Sequence, residues 1–209
     1  REEFIPQGEN DEVIDEQLIA ATRSLVYSLL WIARTVRPDI YFHVRKMTQF
    51  VHFSSKTNFE AAKRILHYVH STKHFRISYF KRANVAPYSI VTDSDHAGDL
   101  HCNSVHGSYH FCYGNLVVWT SGRSKTSTPL HSTEAEYVGL SQACTLGMQY
   151  YNLLKESTDV IKAGCSIPVH VDNTTCKAYA ENVILARRVK HVDVRFHVVR
   201  TWCNQGIFK

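Results

Sequence analysis

No apolar stretch in this 209-residue chain approaches the roughly 20 residues needed to cross a bilayer; the longest is SLVYSLLWIA, residues 24–33. No basic-then-apolar leader opens the chain either. Membrane spanning and secretion are therefore not expected, and a soluble intracellular protein is. The six cysteines, at 102, 112, 144, 165, 176 and 203, include no CxxC pair, so reduced thiols are expected rather than a disulfide framework. Internal repeats, low-complexity tracts and long linkers are also missing. What remains is a chain with ordinary hydrophobic content, 44%, long enough for one large domain or two small ones. It begins at Arg1 rather than Met and stops on Phe208-Lys209, as a piece of a longer chain would.

Charge is present but unevenly spread. Residues 1–16 carry seven acids and one base, whereas residues 34–82 carry eleven Lys or Arg and five His against two acids. A basic block of that kind suits a polyanion, nucleic acid above all, although a solvated helix face has the same composition. The segment HCNSVHGSYHFC offers His101, Cys102, His106, His110 and Cys112, the usual zinc ligand types. A structural zinc site wants close ligand pairs, and the alternation of Tyr109, Phe111 and Tyr113 reads as a strand that throws neighbouring side chains to opposite faces. Zinc is not expected there.

Helical spacing places Leu18, Leu25, Leu29 and Ile32 on one face of residues 17–33, and Pro38 marks a break. A second helix, NFEAAKRILHYVHST, buries Phe59, Ala62, Leu66 and Val69 on this reading, and Lys63, His67, His70 and His74 form a stripe on its other side. With Arg64 beside them, these bases could follow a phosphate backbone. From residue 85 the texture becomes strand-like: YSIVT, SYHFCY and LVVWTS, the last two joined by a Gly114-Asn115 turn, predict three antiparallel strands. A helix over about 133–156, the strand IPVHV ending at Asp172 and a short helix over about 175–181 follow. The expected fold class is α/β, a mixed sheet with flanking helices, preceded by a mainly helical, basic segment. The domains divide as 1–84 and 85–209, with the seam in the Arg82–Pro87 stretch.

Two apolar strands end in acid, VTDSD at Asp93 and VHVDNTT at Asp172. If those strands are neighbours, two carboxylates share one sheet edge, and like charges that close call for a cation. The helix STEAEY supplies a third acid. Glu136 shares a stripe with Leu140, Ala143, Gly147 and Leu154, the side expected to pack on the sheet, whereas Glu134 shares one with the more polar Val138, Ser141, Thr145 and Asn152. Thr133-x-x-Glu136 also fits a capping box, the commoner reading when taken alone. Two strand-end aspartates tip the balance toward a metal. Asp95 is expected in the loop after the strand.

The segments SLVYSLLWIARTVRPDI, AAKRILHYVHSTKHFRISY, VTDSDHAGD, VVWTSGRSKTSTPLHSTEAEYVGLSQA, VHVDNTTCKAYAEN and VKHVDVRFHVVR, in that order, resemble the C-terminal part of the Pol polyprotein of copia-type LTR retrotransposons. The resemblance covers the end of reverse transcriptase and most of the ribonuclease H domain. It implies a ribonuclease H-like fold after a thumb or connection segment. It also implies an endonuclease that cuts the RNA strand of RNA·DNA hybrids with two Mg²⁺ ions, Mn²⁺ being a substitute. Asp93, Glu136 and Asp172 match the first three acids of that site, 43 and then 36 residues apart. Lys63, Arg64, His67 and His70 would then contact nucleic acid. The remainder of reverse transcriptase in the polyprotein becomes an expected partner, and a cytoplasmic retrotransposon particle the expected setting.

Departures from the family pattern are informative. The family continues into a further strand and a last helix bearing a fourth carboxylate, and this chain is expected to stop short of both. Asp193 is a candidate stand-in and His191 a candidate phosphate contact or proton shuttle, although Val189, Val192, Phe196 and Val199 fit a helix that turns Asp193 off its apolar face. His96 stands where the family usually has Trp, and Val105-His106 where a Lys-Ser/Thr pair is common. No polymerase aspartate motif is present. An integrase-like enzyme is disfavoured by the Asp, Glu, Asp order. The alternative to an enzyme is an inactive or domesticated retroelement fragment that only binds nucleic acid.

Overall fold

The computed structural model describes residues 15–95, 104–123, 132–157, 165–181 and 198–209. The chain divides into two compact units, Arg1–Ile77 and Ser78–Lys209, a boundary slightly upstream of the seam expected from sequence.

The first unit is helical. Helix α1 (Glu16–Thr35) is capped by Asp15, whose carboxylate accepts a 2.9 Å bond from the Leu18 N–H. Pro38 does more than break it. It occupies the first turn of a second helix, α2 (Pro38–Met47), which the sequence reading did not include. Proline suits that position because its absent N–H would have no helical partner there and its φ is already helical. After a 3₁₀ turn (Thr48–Phe50), Ser55 caps α3 (Lys56–Ser71). The core comprises Val26, Leu29 and Ala33 of α1, Ile40, Val44 and Met47 of α2, Val51, and Ala61 and Ala62 of α3. The buried side of α3 is thus rotated from the expected one. Asn58, Ala61 and Ala62 are buried, whereas Leu66 is exposed, because the two small alanines let the helix approach α1 closely.

The second unit is built on a four-stranded sheet in the order β3-β2-β1-β4. Strands β1 (Tyr88–Asp95), β2 (Val105–Cys112) and β3 (Asn115–Arg123) are antiparallel neighbours, as the sequence predicts. The hairpin turn lies one residue earlier than expected. Cys112 pairs with Asn115, and the two loop residues are Tyr113 and Gly114, both with positive φ (46° and 71°), the geometry that matches the strands' twist. Asn115 instead ties the corner together, donating to the Phe80, Cys112 and Tyr113 carbonyls and accepting from the Phe80 N–H.

Helix α4 (Ser132–Ser157) then leads to β4 (Val169–His170), α5 (Thr174–Glu181) and α6 (Val198–Asn204). Tyr88 and Ile90 of β1 pack against Tyr137, Val138, Leu140, Ala143 and Cys144 of α4, with Ile167, Cys176, Val199 and Phe208 completing this core. Strand β4 is shorter than IPVHV. Its other edge meets the chain's last residues: the Ile167 N–H donates to the Ile207 carbonyl, the Lys209 N–H to that of Ile167 and the Val169 N–H to that of Lys209. An isolated parallel bridge joins Ile167 and Phe208. The architecture, a mixed four-stranded sheet with helices, is compatible with a ribonuclease H-like fold. Among the described residues no helix is long and apolar enough to cross a membrane.

Candidate active site

The sheet supplies the first two acids. Strand β4 pairs with β1 in parallel, Ile90 opposite Val169 and Val91 opposite His170. The paired stretch ends there, and Asp93 and Asp172 each follow it by two residues in sequence. The adjacency on which the sequence argument depended is therefore present. Strand β1 continues past Asp93 to Asp95, so Asp95 belongs to the strand and not to the loop expected for it. Within β1, Tyr88, Ile90 and Thr92 are buried while Val91 and Asp93 are exposed, the alternation of a sheet with one covered face. Asp93 accepts a 2.8 Å bond from the Ser94 N–H, and Asp172 is exposed.

The helix supplies the third. α4 crosses the sheet at Gly139 and Gly147. A Cβ on Gly139 would collide with Ser94 Oγ and come within 3.1 Å of His106 Cβ, and one on Gly147 would stand 2.5 Å from Ile90 Cδ1. Glu136 lies one turn before the first crossing, on the same side of the helix. Its carboxylate is half-buried. Oε1 accepts a 3.0 Å bond from Asn173 Nδ2, and Oε2 is buried with no hydrogen-bond partner among the described residues. Burial holds the Glu136 carboxyl above its ordinary range; the Asn173 bond opposes this, and the negative charges of Asp172 and Asp93 add to it. Both aspartates therefore act on Glu136. The helix starts upstream of Thr133, so the capping box does not form, and Glu136 bonds to α5's leading residue instead. The sheet-facing stripe is also wider than predicted, since Val138 and Ser141 are buried along with Leu140 and Ala143.

The donors are all carboxylate oxygens, which suits a hard cation such as Mg²⁺ or Mn²⁺, and the orphaned Oε2 is an acceptor that such an ion would satisfy. The fit is one of donor type and charge. Among the described residues no three His, Cys, Asp or Glu side chains already converge as a metal-binding group. Asp193 and His191 lie outside the described residues.

In the other unit, Arg64, His67 and His70 are exposed on α3. Lys63 is half-buried, pairs with Glu60 at 2.9 Å and lies over the Phe59 ring. His74 falls beyond the end of the helix. Of the sulfur and imidazole cluster weighed for zinc, His110 is fully buried with both ring nitrogens engaged, Nδ1 to the Tyr88 hydroxyl at 2.8 Å and Nε2 to Ser108 Oγ at 3.0 Å. Ser108 Oγ in turn bonds to Thr120 Oγ1 at 2.7 Å. Sequence reasoning missed Asn173. Asp-Asn-Thr-Thr ahead of a helical pattern signals an asparagine cap, but nothing in the sequence aims that cap at Glu136.

No family profile matches the chain, and no solved structure does. Among curated proteins it is 27% identical over 187 residues to the retrovirus-related Pol polyprotein from transposon RE1 of Arabidopsis thaliana, covering 90% of the chain and 12% of that protein. It is 32% identical over 126 residues to the putative transposon Ty5-1 protein YCL074W of Saccharomyces cerevisiae, covering 59% of the chain and 40% of that protein. Over 121 residues it is 34% identical to the secreted RxLR effector protein 161 of Plasmopara viticola, covering 57% of the chain and 84% of that protein. The alignments to the Pol polyproteins of transposons RE1 and RE2 each cover 90% of the chain. With the ordered segments of its sequence, they make this chain a region of a copia-type, retrovirus-related Pol polyprotein.

Proposed function

We propose that the second unit is the ribonuclease H region of such a polyprotein, an endonuclease acting on the RNA strand of RNA·DNA hybrids. The observation that supports this reading is the parallel β1–β4 pairing, which Asp93 and Asp172 each follow by two residues in sequence, together with a Glu136 oxygen that is buried and has no hydrogen-bond partner among the described residues. Asp93, Glu136 and Asp172 would hold the divalent cations. Bound there, such ions lower the pKa of an attacking water and neutralise the charge on the leaving 3′ oxygen. The protein's own part is to supply negative charge at a fixed place. Asp93 lies within β1 and Asp172 two residues past β4, and Glu136 is carried by the close crossing of α4 over β1. Recognition through phosphates and 2′-hydroxyls gives little sequence preference, and the exposed Arg64, His67 and His70 supply polyanion contacts in the other unit.

Cleavage of a labelled RNA·DNA hybrid with Mg²⁺ tests the proposal. The chain is expected to cut, and Asp93→Asn to lose at least 100-fold, on the order expected for removing a group that holds the catalytic ion. Equal rates for the two proteins would remove Asp93 from the chemistry. The second reading, a region that binds hybrid without cutting it, is favoured by the absence of a converged three-donor cluster among the described residues. It predicts binding with no cleavage by either protein.

A further inference from the structure

Asn173 stands where three hydrogen bonds meet. Its Oδ1 accepts from the N–H groups of Thr175 and Cys176, at 2.8 and 3.0 Å, the second and third residues of α5. Those bonds fix the orientation of the amide, so Nδ2 must point the other way, and there it donates to Glu136 Oε1. Only an amide serves both sides at this length. Asp would cap the helix but repel Glu136, and Ser would cap it but fall short of the carboxylate.

The other Glu136 oxygen, Oε2, is buried without a hydrogen-bond partner among the described residues. We propose that Asn173 is a positioning residue of the acidic site: it pins Oε1 to the start of α5 and so presents Oε2 to the bound cation. The proposal rests on the reading of Asp93, Glu136 and Asp172 as cation ligands. It adds that the ligand's aim is set by α5, an element that contributes no ligand of its own. Partners that orient ligands in this way typically change metal affinity by about 10- to 100-fold when removed.

Mn²⁺ alone serves as the probe, its binding to the full chain followed by electron paramagnetic resonance alongside thermal melting. Asn173→Ser keeps the cap and loses the reach to Glu136. Its melting temperature is expected to stay at the wild-type value while Mn²⁺ binds about tenfold more weakly. Asn173→Ala is expected to lower both. A purely structural Asn173 would leave Mn²⁺ affinity intact in the Ser variant, and that result overturns the proposal, as does a wild-type chain that binds no Mn²⁺. A wild-type chain that binds Mn²⁺, shows the tenfold loss on Asn173→Ser and cuts no hybrid supports the positioning role while removing the nuclease reading.

Discussion

His110 shows how one buried side chain sets a pH limit. Burial pushes its imidazole down from 6.5 to about 4, and it sits between Tyr88 and Ser108 in the neutral form. Between those two values the unfolded chain binds a proton that the folded chain refuses. Stability from this group is therefore complete above about pH 6.5 and drains away as pH falls toward 4, by about 3 kcal/mol in all. Imidazole NMR shifts should show one histidine neutral down to about pH 4, and urea unfolding should weaken over the same interval. A histidine set that titrates uniformly near 6.5 would contradict the buried network. At this scale the sequence was partly legible. Asp93, Glu136 and Asp172 were singled out by a strand end, a helix stripe and a second strand end. Asn173 was not, and His110 was weighed only as a zinc ligand, because their roles come from partners elsewhere in the chain: Glu136 for one, and Tyr88 and Thr120, through Ser108, for the other.

The α4–β1 crossing decides where Glu136 lies, and it depends on a glycine. Gly139 faces Ser94 and His106 so closely that any Cβ forces a shift. Gly139→Ala is expected to cost about 1–3 kcal/mol, the usual range for overpacking. Urea unfolding measures it, and Ser94→Gly in the same chain should recover part of the loss. No cost at all would mean that the helix does not run this close to the strand. Element order and type in the second unit followed from periodicity, since half-buried strands alternate and α4 is long. Boundaries did not follow. The hairpin corner shifted because the Asn115 side chain is used to bind the Phe80 backbone, leaving Tyr113 and Gly114 as the turn. Helix α2 was missed because a proline read as a stop was a start. On α3 the alanines, weak hydrophobic signals, outcompeted Leu66 for the interior because closeness of approach mattered more than side-chain size.

At the scale of the molecule, the two hydrophobic clusters share no residue: one draws on Val26 to Ala62, the other on Tyr88 to Phe208. Each unit thus has its own reason to fold. Residues 78–209 expressed alone are expected to unfold in one cooperative urea transition with α/β circular dichroism. A non-cooperative or fully unfolded product would show that the second core depends on the first unit. The net charge of +5 is shared almost evenly between the units, eleven Lys or Arg against nine acids in residues 1–77 and thirteen against ten in residues 78–209. The unevenness is local, an acidic run over residues 1–16 followed by a basic block over residues 34–82.

The parallel register of β1 and β4 carries one more consequence, for the order of events in time. A hairpin such as β2–β3 closes through a two-residue turn and can form early, whereas β1 meets β4 only after the whole intervening chain, α4 included, has been gathered. The segments that carry Asp93 and Asp172, 79 residues apart in sequence (172 − 93), are therefore expected to come together only when that long-range pairing forms. The concentration of negative charge is a property of the finished native state, and it vanishes in any partly folded species in which β4 has come away from the sheet.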